Sequence, residues 1–445
     1  MSTKTDTGPG RRPDTVASDL DSLLAHVAGL SALSGCDVRS IALPEPPPLD
    51  FASALAAALA RPRESQPLAE VARGRANVAI ITSDATRAVP TREILPALLA
   101  QLAQGGIAAE QVTVVFGGGA HRPVTSDEVA DMLGDAAGAV QAVAHDARAS
   151  ECVSIGRTPR GNDVRINRVV AEAGLKIALG VVEAHEFAGF SGGRKAILPA
   201  VADYASILEN HRLELIGDPA ARAGVLDGNP VHEEMVAALR LAGLDFIVNV
   251  VLDSALRPVA VAAGDPEAAH DELVDFVRRT ATIEPPPSAE LIVTGPDAPL
   301  DINFYQSVKT LVALEPLVDE ETTVVLLSRC REGLGGADLL RPFAGATDPA
   351  EALARSACDY TVEQDHAYFI ARFLSRCPRV VTWCPGVSDD DLRTLRLDPA
   401  ASVDDAVGRA RRQLSCRRAR PTVLLFPRPQ RALFAAGGGS ARPVH

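Results

Sequence analysis

Short runs rich in β-branched residues recur along this chain: Asn77–Thr82, Gln111–Phe116, Leu175–Val182, Asp245–Leu252, Leu291–Thr294, Thr322–Leu327, Arg379–Trp383 and Thr422–Phe426. Between many of them lie stretches with apolar residues at helical spacing, such as Thr91–Leu102, Ser126–Leu133, His232–Leu241 and Pro266–Arg279. Strands that alternate with helices cannot be joined by hairpins, so they predict an α/β fold with largely parallel sheets and flanking helices. No repeat of fixed period is present.

Proline marks the divisions. Pro44-Glu-Pro-Pro-Pro48 reads as a stiff linker, and Ile283-Glu-Pro-Pro-Pro-Ser288 can continue neither a helix nor a central strand. The expected organisation is an extension over residues 1–50, a larger domain over 51–282 and a second α/β domain over 289–445. The polar residues 1–15 of the extension are expected to be disordered, and residues 16–34 show helical spacing. A cleft between the two domains is the favoured place for a small-molecule site.

Charge and composition exclude several classes. With 44 basic and 57 acidic residues the net charge is −13, which repels nucleic acid and anionic lipid. Aromatic residues make up only 4%, too few for base-stacking platforms. No apolar run reaches the roughly 18–20 residues that cross a bilayer. The 7 cysteines are odd in number and contain no C-x-x-C, so neither a disulfide framework nor a structural zinc site is expected. The first residues lack the apolar core of a signal peptide. A reducing cytoplasm is the expected location.

Four segments carry chemistry, and each follows a predicted strand, where ligands of open α/β sheets bind. Ser83-Asp-Ala-Thr-Arg-Ala-Val-Pro90 offers Asp84 as an acceptor and Arg87 as a planar cationic fork, although an N-cap and a surface arginine would look the same. Phe116-Gly-Gly-Gly-Ala-His-Arg-Pro-Val-Thr125 brings His121 to the end of a glycine turn, ahead of the capping-box pattern Thr125-Ser-Asp-Glu128. Glu183-Ala-His-Glu-Phe-Ala-Gly-Phe-Ser-Gly-Gly-Arg-Lys-Ala-Ile-Leu-Pro199 is the densest. Its Gly189 and Lys195 are misplaced for G-x-x-x-x-G-K-[ST], which excludes a P-loop nucleotide triphosphatase. Arg194 beside Lys195 favours a neutral, nucleophilic amine there, and His185 precedes the turn. The fourth, Leu300-Asp-Ile-Asn-Phe-Tyr-Gln-Ser-Val-Lys309, places Gln306 and Lys309 on one helical face, suited to a carboxylate, or simply forms a solvated amphipathic helix. His211 has no histidine at i+3 or i+4, so it cannot form a helix metal pair, but it can be a single ligand to a metal held mostly by a cofactor.

Taken in order, Ser83–Pro90, His121–Thr125, Glu183–Pro199, Asn210-His211 and Leu300–Lys309 resemble the nickel-pincer-dependent lactate racemase family, from about residue 50 to the end; the run Phe187-Ala-Gly-Phe-Ser-Gly-Gly-Arg-Lys195 is the most specific part. The resemblance implies a two-domain isomerase with a nickel pyridinium-3,5-bisthiocarboxylic acid mononucleotide, supplied by cofactor biosynthesis proteins and attached to a lysine through a thioamide. It implies that Lys195 is the attachment residue, His211 the protein ligand to nickel, and His121 and His185 the acid/base pair. It implies that Asp84, Ala85, Thr86 and Arg87 contact cofactor or substrate, and that Gln306 and Lys309 hold the substrate carboxylate. The chemistry of a 2-hydroxy acid agrees: inversion needs a proton off the hydroxyl and a hydride off carbon, with a base on each side, and no side chain accepts hydride. An oxidoreductase using the same cofactor, a non-catalytic metal- or nucleotide-binding protein on this scaffold, and an aldolase-type Schiff-base lysine are the competing readings; the last would not require His211.

Two positions depart from the family pattern. Ala200 follows Leu198-Pro199, where glycine is common. Asp365 stands where lactate enzymes carry tryptophan, in Glu363-Gln-Asp-His-Ala-Tyr-Phe-Ile-Ala-Arg372. Aspartate there points to a larger, polar substrate, with a dicarboxylate repelled and a polyhydroxylated acid accommodated. Alternatively Asp365 faces solvent, or His366 fills the slot.

Overall fold

The computed structural model describes residues 19–84, 87–358, 360–414 and 419–435. The expected disorder of residues 1–15 and the expected contacts of Ala85 and Thr86 lie outside the described residues.

Two six-stranded sheets form the frame. The first runs, edge to edge, through Pro258–Gly264, Phe246–Leu252, Leu175–Val181, Val78–Ser83, Val112–Gly117 and Gln141–Ala144. Every pairing is parallel except that of Pro258–Gly264 with Phe246–Leu252. Its central strands are buried on both faces, which is why they read as unbroken apolar runs rather than alternating ones. The second sheet runs through Asp37–Ser40, Thr422–Pro427, Leu291–Gly295, Thr323–Leu327, Arg379–Trp383 and Asp398–Pro399, all parallel.

The strand Asp37–Ser40 corrects the expectation of an extension over residues 1–50. It pairs with Thr422–Pro427 in register Asp37↔Thr422, inside the second sheet. The helix Leu20–Ala28 ahead of it buries Leu20, Leu24 and Val27 among Leu291, Val293, Val325 and Leu425. Residues 20–40 are therefore built into the second half. A four-residue, half-exposed edge strand carries almost no periodic signal, so it is silent in the sequence.

The described chain thus passes from the second half to the first and back. Pro44–Pro48 takes no regular structure. Near the second proline segment Thr282–Ile283 pairs with Leu433–Phe434. One apolar cluster joins the halves: Phe187 of the first stacks on Phe369 of the second, with ring centroids 5.9 Å apart. No helix among the described residues is long and apolar enough to cross a membrane.

Candidate active site in the cleft between the two halves

A cleft lies over the carboxyl ends of Val78–Ser83, Val112–Gly117 and Leu175–Val181, closed on its far side by residues of the second half. Asp84, Arg87, His121, His185, Lys195, His211 and Lys309 all line it. Gln306 reaches it through His121. The described residues expected from sequence are therefore brought together.

The glycine turn after Leu175–Val181 is a braced structure. Ser191 Oγ accepts from the Glu183 amide (3.0 Å) and donates to the Val181 carbonyl (2.7 Å). From the neighbouring strand, Asn249 Oδ1 accepts the Gly193 amide at 2.8 Å. Glycine is required at Gly189, where φ is +78° and a Cβ would stand 2.2 Å from the Val225 carbonyl oxygen. Ser191 and Asn249 thus hold the turn that presents Lys195.

Arg194 and Lys195 diverge in role. Arg194 is buried; its guanidinium donates to the carbonyls of Ala188 (2.7 Å) and Phe190 (2.8 Å) and lies 2.9 Å from His270 Nε2. Burial lowers its pKa to about 9. Lys195 enters the cleft, with Nζ 3.2 Å from His185 Nε2. Burial first, then the charge of Arg87, hold its pKa well below the ordinary lysine value. The expected repulsion from Arg194 is a lesser contribution, because desolvation of the ammonium outweighs it.

The histidines are set differently. His121 Nδ1 lies 2.8 Å from Asp84 Oδ2, and its Nε2 lies 3.2 Å from the amide nitrogen of Gln306. A carboxylate only accepts, so Nδ1 carries the proton and Nε2 receives the Gln306 N–H. His185 is buried, and burial, followed by Lys195 and Lys309, holds its pKa well below the ordinary value. His211, which ends the helix Tyr204–Asn210, lies with Nδ1 3.0 Å from the Ile207 carbonyl oxygen, to which it donates. Its Nε2 lone pair is thereby left for a metal, the arrangement found in metal-bound histidines. Burial and Lys195 lower its pKa to about 4, so the ring is neutral.

Three further residues belong to the cleft. Glu186 is the negative centre: Lys309 Nζ is 3.6 Å and His366 Nε2 3.8 Å from its Oε1, and His185 Nδ1 is 3.2 Å from its Oε2. Burial works against its charge, but Lys309, His366 and Arg87 hold its carboxyl below the usual range. Tyr305 donates to Asp365 (3.0 Å to Oδ1), and its ring stacks on the His366 imidazole at 3.8 Å. Sequence neighbours of His185, Gln306 and Asp365 were the signal available for Glu186, Tyr305 and His366. Asp365 itself is 1% exposed, which overturns the solvent-facing alternative. Its carboxylate is engaged by Tyr305 and by His366 Nδ1 (2.5 Å), so it is His366 that offers an unused atom to the cleft.

Known proteins share this arrangement of sequence and fold. Residues 37–224 match the lactate racemase N-terminal domain, and residues 284–425 match the lactate racemase C-terminal domain. The chain belongs to the lactate racemase family. It is 37% identical to a lactate racemase of Thermoanaerobacterium thermosaccharolyticum over 79% of this chain and 83% of that protein. It is 38% identical to one of Lactiplantibacillus plantarum over 79% of this chain and 84% of that protein. The T. thermosaccharolyticum lactate racemase apoprotein superposes with a TM-score of 0.81 at 32% identity, covering 89% of this chain and 95% of that one. A Thermotoga maritima protein shares the fold at a TM-score of 0.64 and 14% identity, over 88% of this chain and 99% of that one. As members of this family are isomerases, so is this chain, and its fold is the two-domain α/β fold expected from sequence.

The residues also fit the nickel pincer nucleotide. Among the described residues no three His, Cys, Asp or Glu side chains converge into a metal cage. His211 offers one nitrogen donor to the cleft through Nε2. Lys195 presents an amine whose charged form burial disfavours.

Proposed function

We propose that this protein racemises or epimerises a 2-hydroxy acid, either lactate or a more polar relative, using a nickel pincer nucleotide tethered to Lys195. The observation that carries the reading is the convergence on one cleft of a buried lysine amine, a histidine with a free Nε2, and two more histidines on separate strand-end loops.

When bound, the cofactor supplies the acceptor and donor of hydride, which no side chain provides. Lys195 would hold it through a thioamide, and His211 Nε2 would be the protein's ligand to nickel. Arg87 is the cation placed for an anionic group of cofactor or substrate; burial works against its charge, but Glu183, Glu186 and Asp84 outweigh that and keep it charged.

His121 acts as one base. Asp84 keeps its proton on Nδ1 and so leaves Nε2 to take the substrate hydroxyl proton, in the manner of a base oriented by a third group. His185 acts on the opposite face, kept neutral by burial. Gln306 and Lys309 hold the substrate carboxylate, the amide by hydrogen bonding and the ammonium by charge. For that, the carboxylate competes with Glu186 for Lys309. In one direction the histidine on one side takes the hydroxyl proton and the other, in its protonated form, supplies one to the keto oxygen; in the reverse direction the two exchange roles.

The test is to purify the protein together with the cofactor-making machinery and measure intact mass, nickel content and chiral composition of products from lactate and several larger 2-hydroxy acids. A mass adduct on Lys195, one nickel per chain and interconverted enantiomers are expected. An unmodified Lys195 in fully active protein overturns the reading. Net release of keto acid would favour an oxidoreductase instead.

A further inference from the structure

The first turn of the helix Gln364–Arg376 carries His366 into the wall of the cleft. The ring is 1% exposed, and its Nε2 has no hydrogen-bond partner among the described residues. Buried polar atoms are nearly always paired, so this one is set apart for something that the cleft receives.

The state of that atom follows from its neighbours. His366 Nδ1 lies 2.5 Å from Asp365 Oδ1, and the same carboxylate accepts the Tyr305 hydroxyl at 3.0 and 3.2 Å. A carboxylate so engaged only accepts, so Nδ1 carries a proton and Nε2 is the ring atom left for a further hydrogen bond. The ring cannot swing away: Tyr305 stacks on it at 3.8 Å and Phe369 meets it edge-on at 5.8 Å. Glu186 Oε1 stands 3.8 Å from Nε2, beyond hydrogen-bond range.

That oxygen also faces Lys309 Nζ at 3.6 Å. His366 Nε2 and Lys309 Nζ therefore flank one point. A substrate whose carboxylate rests on Lys309 brings the carbon beyond its reacting centre towards His366. We infer that His366, oriented by Asp365, determines specificity by hydrogen bonding through Nε2 to a hydroxyl on that carbon, so that 2,3-dihydroxy acids are the substrate class. The inference rests on the 2-hydroxy acid reading above.

Chemistry separates the options. A methyl group, as in lactate, leaves the buried Nε2 unpaired, and sites built to bond a hydroxyl discriminate against analogues that lack it. A second carboxylate would meet the Glu186 carboxylate with Lys309 already engaged by the first, so a dicarboxylate is disfavoured by Glu186 rather than by Asp365.

The experiment compares 2,3-dihydroxypropanoate with lactate on the cofactor-loaded protein, by titration calorimetry and by chiral chromatography of the products. The dihydroxy acid is expected to bind at least about tenfold more tightly. His366→Phe removes this preference, and His366→Gln, which keeps a hydrogen-bonding group, retains part of it. Equal or tighter binding of lactate by the wild-type protein overturns the inference, even if His366→Phe fails to fold. Interconversion of lactate alongside that result leaves the 2-hydroxy acid reading standing. Preferential binding of the dihydroxy acid with no interconversion of either compound overturns that reading and keeps the His366 contact. Binding of neither overturns both.

Discussion

The Asp84 carboxylate lies 2.8 Å from Nδ1 of His121 and thereby decides which ring nitrogen carries the proton. The two residues leave different strands, Val78–Ser83 and Val112–Gly117, which pair in parallel register Ser83↔Gly117. Parallel pairing brings both strand ends to the same edge of the sheet, so adjacency of the strands becomes adjacency of an acceptor and a base. Gly118 makes the approach possible, since a Cβ there would stand 2.8 Å from Asp84 Oδ2.

His121→Ala is expected to lower kcat by about 10²–10⁴-fold, the usual contribution of a general base. Asp84→Asn should also lower kcat, because an amide can donate to Nδ1 and shift the proton to Nε2, where the lone pair is needed. Racemisation rates measured from both enantiomers check this. Near-normal turnover in Asp84→Asn would refute the orienting role.

His211→Ala is expected to strip nickel from protein that still carries the mass adduct on Lys195. The two attachments are chemically separate, a covalent link at Lys195 and a coordination bond at His211 Nε2. Metal analysis paired with peptide mapping reads both. Full nickel occupancy in the variant would remove His211 from the coordination sphere.

Arg194→Leu is expected to destabilise the protein by roughly 2–4 kcal/mol, since leaving a buried acceptor without its donor costs about 1–3 kcal/mol each. The substitution leaves the Ala188 and Phe190 carbonyls without the guanidinium that now serves both. Urea titration gives the stability. The yield of Lys195 adduct should fall as well, since the same turn presents the lysine.

Acid sensitivity has a worked sign. Burial lowers the pKa values of His185, His211 and His270 in the folded protein. The unfolded chain then binds more protons, so stability is full above the ordinary histidine value of ~6.5 and is lost as pH falls. For His211 the loss runs down to about 4. Each such ring removes about 1.4 kcal/mol per pH unit within its window. Urea midpoints of the cofactor-free protein should drop between pH 7.5 and pH 5; an unchanged midpoint would show that these rings are not held neutral.

The family resemblance was legible in local runs, and so was the frame. Arg379–Trp383 has the bounds expected from sequence, and Leu175–Val181 differs by one residue, because strands buried on both faces must be apolar throughout. The helix Ser126–Leu133 begins where its capping box places it: the Thr125 amide donates to Glu128 Oε2 at 2.8 Å. The edge strand Asp37–Ser40 was not legible, because an edge needs no continuous burial.

By itself, the sequence determined the eight interior strands, the glycine turn that carries Lys195 and the loops that carry His121 and His185, since each depends on residues close together in the chain. Only the tertiary structure decided that Gln306 meets His121 across 185 positions, that Lys309 and His366 share Glu186, and that Asp365 turns to Tyr305 and leaves His366 facing the cleft. Those contacts depend on how the two halves pack over Phe187 and Phe369, and local periodicity carries no information about which faces of distant elements will meet.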